Sequence, residues 1–215
     1  MDWPVSPDQR GKIPGDQGGH SGTNCNAWLI QMFGLRIAQW AQPLIELENE
    51  LDQLRADVLR LQFGGASGAN TAIAPHGSAI SRGLADALGM ADAPPWHVNQ
   101  NGPLKLAGWL LALHIALSKI AGDLIQMGRS EIGEAQTGIG GGSSTMPQKS
   151  NPVGPETICV LATMAQAAHS GLAASAVHAE ERDGANWPVA WTLLPQMLLT
   201  GGRSVQLGVD LVTSL

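Results

Sequence analysis

Residues 104–127 read LKLAGWLLALHIALSKIAGDLIQM, and this stretch decides the fold class. Its apolar positions are Leu104, Leu106, Trp109, Leu110, Leu111, Leu113, Ile115, Leu117, Ile120, Leu124 and Ile125. On a helix these positions cover most of the circumference, and a helix that is apolar nearly all round must be buried on all sides. The stretch therefore predicts the central helix of a bundle, beginning at Pro103.

Helical patterns continue on both sides of this stretch. Apolar residues at three-to-four spacing predict a long amphipathic helix over 33–61, bent near Pro43, and a shorter helix over 78–88. Long apolar patterns over 152–177 and 187–212 predict further helices, the first of them buried. No part of the sequence shows the alternation of apolar and polar residues that would predict a strand instead. We predict an all-α fold, an elongated bundle of helices each on the order of 35–40 Å long.

The N-terminal residues differ from the rest in composition. Residues 1–32 hold three prolines and five glycines among polar residues, without apolar periodicity. This composition predicts an irregular segment, set apart from a helical-bundle domain over 33–215.

Composition and charge exclude several classes of partner. The chain has a formal net charge of −6, and its Lys and Arg residues are scattered, which argues against binding to nucleic acid. No uncharged apolar run reaches about 18 residues, and no leader pattern is visible, so we expect a soluble, cytoplasmic protein without a membrane partner. Cys25 and Cys159 lack the spacing of metal ligands, and we expect no metal or other cofactor.

A glycine-rich stretch between two predicted helices carries the candidate chemistry. Residues 141–152 read GGSSTMPQKSNP. Composition alone is typical of a flexible linker that ends with Pro152 in the first turn of a helix. The order Gly-Ser-Ser-x-Met-Pro-x-Lys-x-Asn-Pro, however, resembles the signature of the fumarase/aspartase superfamily, whose members catalyse β-elimination next to a carboxylate, or the reverse addition.

This resemblance implies roles for particular residues. Ser143 would be the base or acid at carbon, on a loop that closes over the substrate. Ser144, Lys149 and Asn151 would bind the substrate carboxylate on which negative charge develops. Glu156 matches a glutamate that in several members pairs with a catalytic histidine of another subunit. A glutamate in a first helical turn is also favoured by the helix dipole alone.

Three further stretches are similar to the branch of 3-carboxy-cis,cis-muconate cycloisomerases. They are 33–36 with 61–68, the Pro-Trp-His sequence ending at His97, and the sequence RDGANW that begins at Arg182. The resemblance implies that His97 and Arg182 contact a small polycarboxylate and that the reaction is lactonisation of carboxymuconate. Each residue also has a purely structural alternative. His97 would then fill a packed corner, and Arg182 would form a solvated ion pair.

The resemblance also implies an assembly. In this superfamily the central helices of four subunits form one core, and each active site takes residues from three chains, so we expect a homotetramer. We expect the family's N-terminal and C-terminal domains to be absent here, and activity to be impaired for that reason. Two alternatives remain: a lyase of the adenylosuccinate or argininosuccinate type, and a helical oligomerisation remnant without activity.

Overall fold

The computed structural model describes residues 33–135, 141–142 and 150–215. Within them the chain forms the α-helices α1 Phe33–Val58, α2 Gly77–Leu88, α3 Asn101–Met127, α4 Val153–Ser175 and α5 Trp187–Thr213. A short 3-10 helix, Thr71–Ile73, precedes α2. The predicted all-α fold is confirmed. The prediction of an irregular segment over 1–32 lies outside the described residues.

The helix boundaries follow local hydrogen bonding. α1 ends before the predicted residue 61, because Leu59 and Leu61 instead exchange backbone hydrogen bonds of 2.9 Å with Ala91. α2 ends at Gly89, whose φ of +64° suits a residue without a Cβ atom. α3 starts at Asn101, so that Pro103 lies in its first turn, where a missing N–H costs no helical hydrogen bond.

One short pair of strands was not predicted. β1, Gly141–Gly142, pairs antiparallel with β2, Ser150–Asn151, with Gly141 opposite Asn151. Strands of two residues are too short to show the alternation by which a strand is recognised in a sequence. This ladder brings together the two ends of the segment 143–149.

α3 is the central helix, as predicted, but the expectation that it is buried on all sides was wrong, since Ile115 is 59% exposed. It contributes nine buried residues and packs against α1, α4 and α5. One apolar cluster joins its C-terminal half to Trp40, Ile158 and Leu211, and a second joins its N-terminal half to Leu172 and Met197. Burial of these side chains is the main favourable term that holds the helices together.

The expectation that α4 is buried was wrong for this chain. Val160 and Met164 on α4 are 57% and 53% exposed, because this helix packs mainly against α3 and α5 within the described residues and leaves its other face open. α5 likewise exposes Leu199, which is 74% accessible. Among the residues that the structure describes, long apolar faces therefore remain uncovered.

α3 and α4 also have the length and composition of membrane-crossing helices, with mean hydropathies of 1.4 and 1.2 over their most apolar windows. The core helix of a water-soluble bundle meets the same criteria. In this fold α3 uses its apolar side chains to pack against three other helices.

A polar contact crosses the core between α3 and α5. The side chain of His114 is fully buried, with its Nδ1 atom 3.3 Å from the Ser204 hydroxyl and its Nε2 atom 3.2 Å from that of Thr200. Burial lowers the pKa of His114 below its ordinary value. No function was predicted for this histidine, and its surroundings fit a neutral, hydrogen-bonded core residue.

Candidate active site

The predicted catalytic loop lies between β1 and β2. Ser143, Ser144 and Lys149 lie outside the described residues, but both ends of their segment are fixed by the Gly141–Asn151 and Gly142–Ser150 pairs. A Cβ atom on Gly141 would come within 2.8 Å of Val153 Cγ2. The absence of a side chain at Gly141 therefore lets this end of the loop lie close against the first residue of α4.

Asn151 and Glu156 lie at the N-terminus of α4. Asn151 is half-buried and Glu156 is exposed in the first helical turn, where its backbone N–H donates to the Pro152 carbonyl over 2.9 Å. The helix dipole favours negative charge at this end, whether on Glu156 or on a bound anion.

Asn151 lines an open cavity of about 610 Å³ between the end of α3 and the start of α4. The other lining residues are Ile125, Gly128, Arg129, Ser130, Glu131, Ile132 and Pro152. Arg129 brings an exposed cation into this cavity, and sequence reasoning missed it. The available signal was its position directly after the last turn of α3, before the glycine-rich stretch.

His97 lies at the other end of the bundle, in the connection before α3. Its side chain is only 6% exposed, and its Nε2 atom lies 3.0 Å from the Gly65 carbonyl oxygen. Because a carbonyl can only accept, Nε2 carries the proton in this contact. The buried Nδ1 atom has no hydrogen-bond partner in the part of the chain that the structure describes.

Arg182 contacts the same glycine. Its Nε donates to the Ala66 carbonyl and its Nη2 to the Gly65 carbonyl, each over 3.2 Å. The guanidinium carbon lies 5.8 Å from the centre of the Trp187 ring, within the range of a cation–π contact. The structure therefore brings His97 and Arg182 together on one backbone segment, residues 64–68, which we call the glycine loop.

The glycine loop is tightly packed where it meets His97. A Cβ atom on Gly64 would lie 2.7 Å from both Gly68 Cα and His97 Cε1, and 2.9 Å from Pro95 Cβ. Gly68 has a φ of +90°, which other residues rarely adopt. Glycine is required at both positions, the first for space and the second for backbone conformation.

Asp183 organises the corner that carries Arg182. Its carboxylate accepts hydrogen bonds from the backbone N–H groups of Ala179, Ala185 and Asn186 and from the Asn186 side chain, over 2.9–3.0 Å. The hydrogen bond from Ala179, followed by those from Asn186 and Ala185, holds the pKa of Asp183 far below its usual range. A charged Asp183 thus fixes the turn between α4 and α5.

The predicted site residues fall into two groups. Asn151 and Glu156 lie at the N-terminus of α4, whereas Arg182 follows its C-terminus and contacts the loop beside His97. α4 has 23 residues, and a helix of that length spans roughly 35 Å. The fold of one chain therefore holds the two groups at opposite ends of the bundle.

Comparisons with known proteins agree with the fold and the motif. The chain matches the protein-family model described as Lyase over residues 31–167. A 3-carboxy-cis,cis-muconate cycloisomerase of Bradyrhizobium diazoefficiens is 34% identical over 187 residues, covering 85% of this chain and 42% of the relative. A nitrosuccinate lyase of Streptomyces davaonensis is also 34% identical, over 198 residues, covering 85% of this chain and 41% of that protein.

A solved structure extends the likeness to three dimensions. The 3-carboxy-cis,cis-muconate lactonizing enzyme of Pseudomonas putida superposes with a TM-score of 0.78 at 27% identity, covering 84% of this chain and 40% of that one. This chain thus spans about two fifths of the length of the relatives it matches. The helical bundle, the motif of the serine loop over 142–152 and these matches place the chain in the fumarase/aspartase family of lyases.

Proposed function

We propose that this chain is the central helical part of a cycloisomerase that closes 3-carboxy-cis,cis-muconate to its lactone. The observation that carries the proposal is the motif over 142–152, in a chain that is 34% and 32% identical to cycloisomerases of two bacteria. The acidic net charge of −6 leaves anion binding to locally placed cations, and Lys149 and Arg129 are the candidates.

The proposed reaction is an addition across a double bond. One carboxylate oxygen of the substrate forms a C–O bond to a carbon of the conjugated system, and the π electrons move to the neighbouring carbon. Negative charge then spreads onto the carboxylate next to that carbon, where Lys149, Asn151 and Ser144 donate hydrogen bonds. The Ser143 hydroxyl delivers the proton to the carbon, which completes the lactone.

The two groups of site residues suggest how the site is completed. Because α4 separates Asn151 and Glu156 from His97 and Arg182, one chain does not bring them to one ligand. We therefore place the α4 N-terminus of one copy beside the glycine loop of another. The role of Glu156 as the partner of a histidine from another copy belongs to the same proposal.

The uncovered apolar faces support assembly into a homotetramer. Large exposed side chains lie on α3, α4 and α5: Ile115, Val160, Met164, Trp191, Leu198, Leu199, Val205, Val209 and Val212. Light scattering should give the mass of four chains. Leu199→Lys should lower this mass, because a charge on a buried apolar contact is costly. Asn49→Lys, on an exposed position of α1, is the matched control and should leave the mass unchanged.

Activity tests the proposal directly. Ultraviolet absorbance of carboxymuconate should fall in the presence of the purified chain, and Ser143→Ala should abolish the change. Ser170→Ala removes an exposed hydroxyl on α4 and should leave the rate unchanged. A tetramer that does not turn over carboxymuconate would instead favour a helical remnant without activity.

β-Elimination is the second candidate function. The nitrosuccinate lyase of Streptomyces davaonensis matches this chain at the same 34% identity as the cycloisomerase of Bradyrhizobium diazoefficiens. Both reactions use a base or acid at the carbon next to a carboxylate, so the serine loop alone does not separate them. A panel of nitrosuccinate, adenylosuccinate, argininosuccinate and carboxymuconate, assayed with the same Ser143→Ala control, distinguishes the two.

A further inference from the structure

The guanidinium of Arg182 donates hydrogen bonds to the protein backbone through two of its nitrogen atoms, Nε and Nη2. Nε and Nη2 form the fork that most often pairs with a carboxylate, and here they donate to the Ala66 and Gly65 carbonyls, each over 3.2 Å. Trp187 lies beside the group, with its ring centre 5.8 Å from Cζ. Binding a substrate carboxylate through this edge would require Arg182 to release both carbonyls.

The backbone beneath Arg182 is rigidly arranged for the same contact. Asp183 Oδ2 accepts from the Ala179 N–H and from Asn186 Nδ2, while Oδ1 accepts from the backbone of Ala185 and Asn186. The Asn186 side chain also donates to the Val177 carbonyl over 3.0 Å. These bonds tie the end of α4 to the start of α5 and hold Arg182 between them.

The glycine loop is held from its other side by His97. His97 Nε2 donates to the Gly65 carbonyl that Arg182 also contacts. The close approach of Gly64 to Gly68 and His97 leaves the loop no room to shift toward the core. The Gly65–Ala66 peptide is thus fixed by donors from two distant parts of the chain.

The direction of this peptide has a chemical consequence. In a trans peptide the C=O and the following N–H point in opposite directions. With the Gly65 carbonyl turned to His97 and Arg182, the Ala66 N–H is directed away from them. Ala66 is exposed, and within the described residues its N–H has no hydrogen-bond partner, which leaves it available to an anionic oxygen.

We propose that Arg182 and His97 are positioning residues that jointly fix the Gly65–Ala66 peptide, so that the Ala66 N–H donates to a carboxylate of the substrate. The class of ligand, a small polycarboxylate, is taken from the proposed function, on which this inference rests. Arg182 acts on that ligand through the loop, and its bidentate edge stays on the backbone when the ligand binds.

Tricarballylate, a saturated tricarboxylate, is a suitable probe for the complete chain. Its affinity is measured by calorimetry, and its contact with Ala66 by the ¹⁵N–¹H shift of that amide. Arg182→Ala should weaken binding about tenfold and increase hydrogen exchange over the loop 64–68, while circular dichroism stays unchanged. Arg182→Lys keeps the charge but loses the fork, and should behave like Arg182→Ala.

His97 supplies the second arm of the test. His97→Gln keeps a donor near the Nε2 position and should retain binding, whereas His97→Asn is too short and should lose about as much as Arg182→Ala. If both residues act on one peptide, the double variant Arg182→Ala/His97→Asn loses little more than either single variant.

Additive losses in the double variant, with unchanged exchange over 64–68 in Arg182→Ala, would mean that Arg182 binds the ligand itself and would overturn the proposal. If the unaltered chain does not bind tricarballylate, the assignment of a polycarboxylate ligand fails, and with it the role of the Ala66 amide. Hydrogen exchange in the single and double variants still decides whether the two residues jointly fix the loop.

Discussion

His97 and Arg182 donate hydrogen bonds to the same acceptor, the carbonyl oxygen of Gly65, over 3.0 Å and 3.2 Å. His97 precedes α3, Arg182 lies between α4 and α5, and Gly65 itself follows α1. Three separate segments between helices therefore meet at this one oxygen. Both residues were predicted from sequence as substrate contacts. Their shared acceptor indicates that the shape of the glycine loop depends on both.

Gly64 tests the packing of this loop. Gly64→Ala places a Cβ atom 2.7 Å from Gly68 Cα, a backbone atom that cannot rotate away. We expect a loss of about 1–3 kcal/mol in the free energy of unfolding, measured by urea denaturation. Gly83→Ala is the control, because nothing lies within 4 Å of its Cβ position inside α2, and it should raise stability by up to about 1 kcal/mol. Equal effects of the two changes would contradict the packing described.

The buried His114 should make stability depend on pH. Burial lowers its pKa in the folded chain, whereas the unfolded chain keeps the ordinary value of about 6.5. The unfolded state therefore binds the proton first as the pH falls. The contribution of His114 is complete above about 6.5 and declines from there toward its lower folded pKa.

His114→Gln should flatten the dependence of the free energy of unfolding on pH over this window. Asn49→Gln, at an exposed position of α1 without a titratable group, should leave the dependence as it is in the unaltered chain. A folded His114 that titrates by NMR at or above the ordinary value would be inconsistent with its buried place between Ser204 and Thr200.

Asp183 should respond to acid in a lower range. Because its pKa is lowered in the folded chain, its contribution to stability is present above the ordinary value of about 3.9 and is lost as the pH falls through the folded pKa. Asp183→Asn should increase hydrogen exchange over 179–186 at neutral pH, since an amide cannot accept all four hydrogen bonds. Unchanged exchange would show that the turn forms without the carboxylate.

Trp40 contributes one of the polar contacts that join α1 to α3. Its Nε1 donates to Asp123 Oδ2 over 2.7 Å, and its side chain is 7% exposed. Trp40→Phe removes the donor and part of the ring, and should cost at least about 1.5 kcal/mol of unfolding free energy. Combining it with Asp123→Ala, which removes the acceptor, in a double-mutant cycle separates the hydrogen bond from the lost packing. No coupling energy between the two sites would refute the contribution of this bond.

The fold was more readily predicted than the site. The apolar positions of α3 recur with the helical period, and this pattern predicted that α3 lies at the centre of the bundle. α4 shows the limit of the same reasoning: Val160 and Met164 look like core residues in the sequence but are exposed in the single chain, because pattern does not say which chain covers a helix. The β1–β2 ladder could not be predicted, because its four residues are too few to show the alternation of a strand.

The site residues were chosen one by one, and their grouping was not predicted. Arg182 was expected to contact either the substrate or an acidic partner, yet it contacts backbone carbonyls, which are present at every residue and carry no sequence signal. The separation of Asn151 from Arg182 was implicit in the length of the helix between them. Arg129 was missed because an isolated arginine after a helix resembles any surface cation.

The central claim is that each active site combines the serine loop of one copy with the glycine loop of another. The most direct test mixes Ser143→Ala with Arg182→Ala after dissociation and reassembly, and follows the absorbance of carboxymuconate. Ser143→Ala alone should be inactive, Arg182→Ala alone should be slowed about tenfold at low substrate concentration, and the mixture should be faster than either component. A mixture no faster than its components, when the unaltered chain turns over the substrate and reassembles equally well, would contradict the claim.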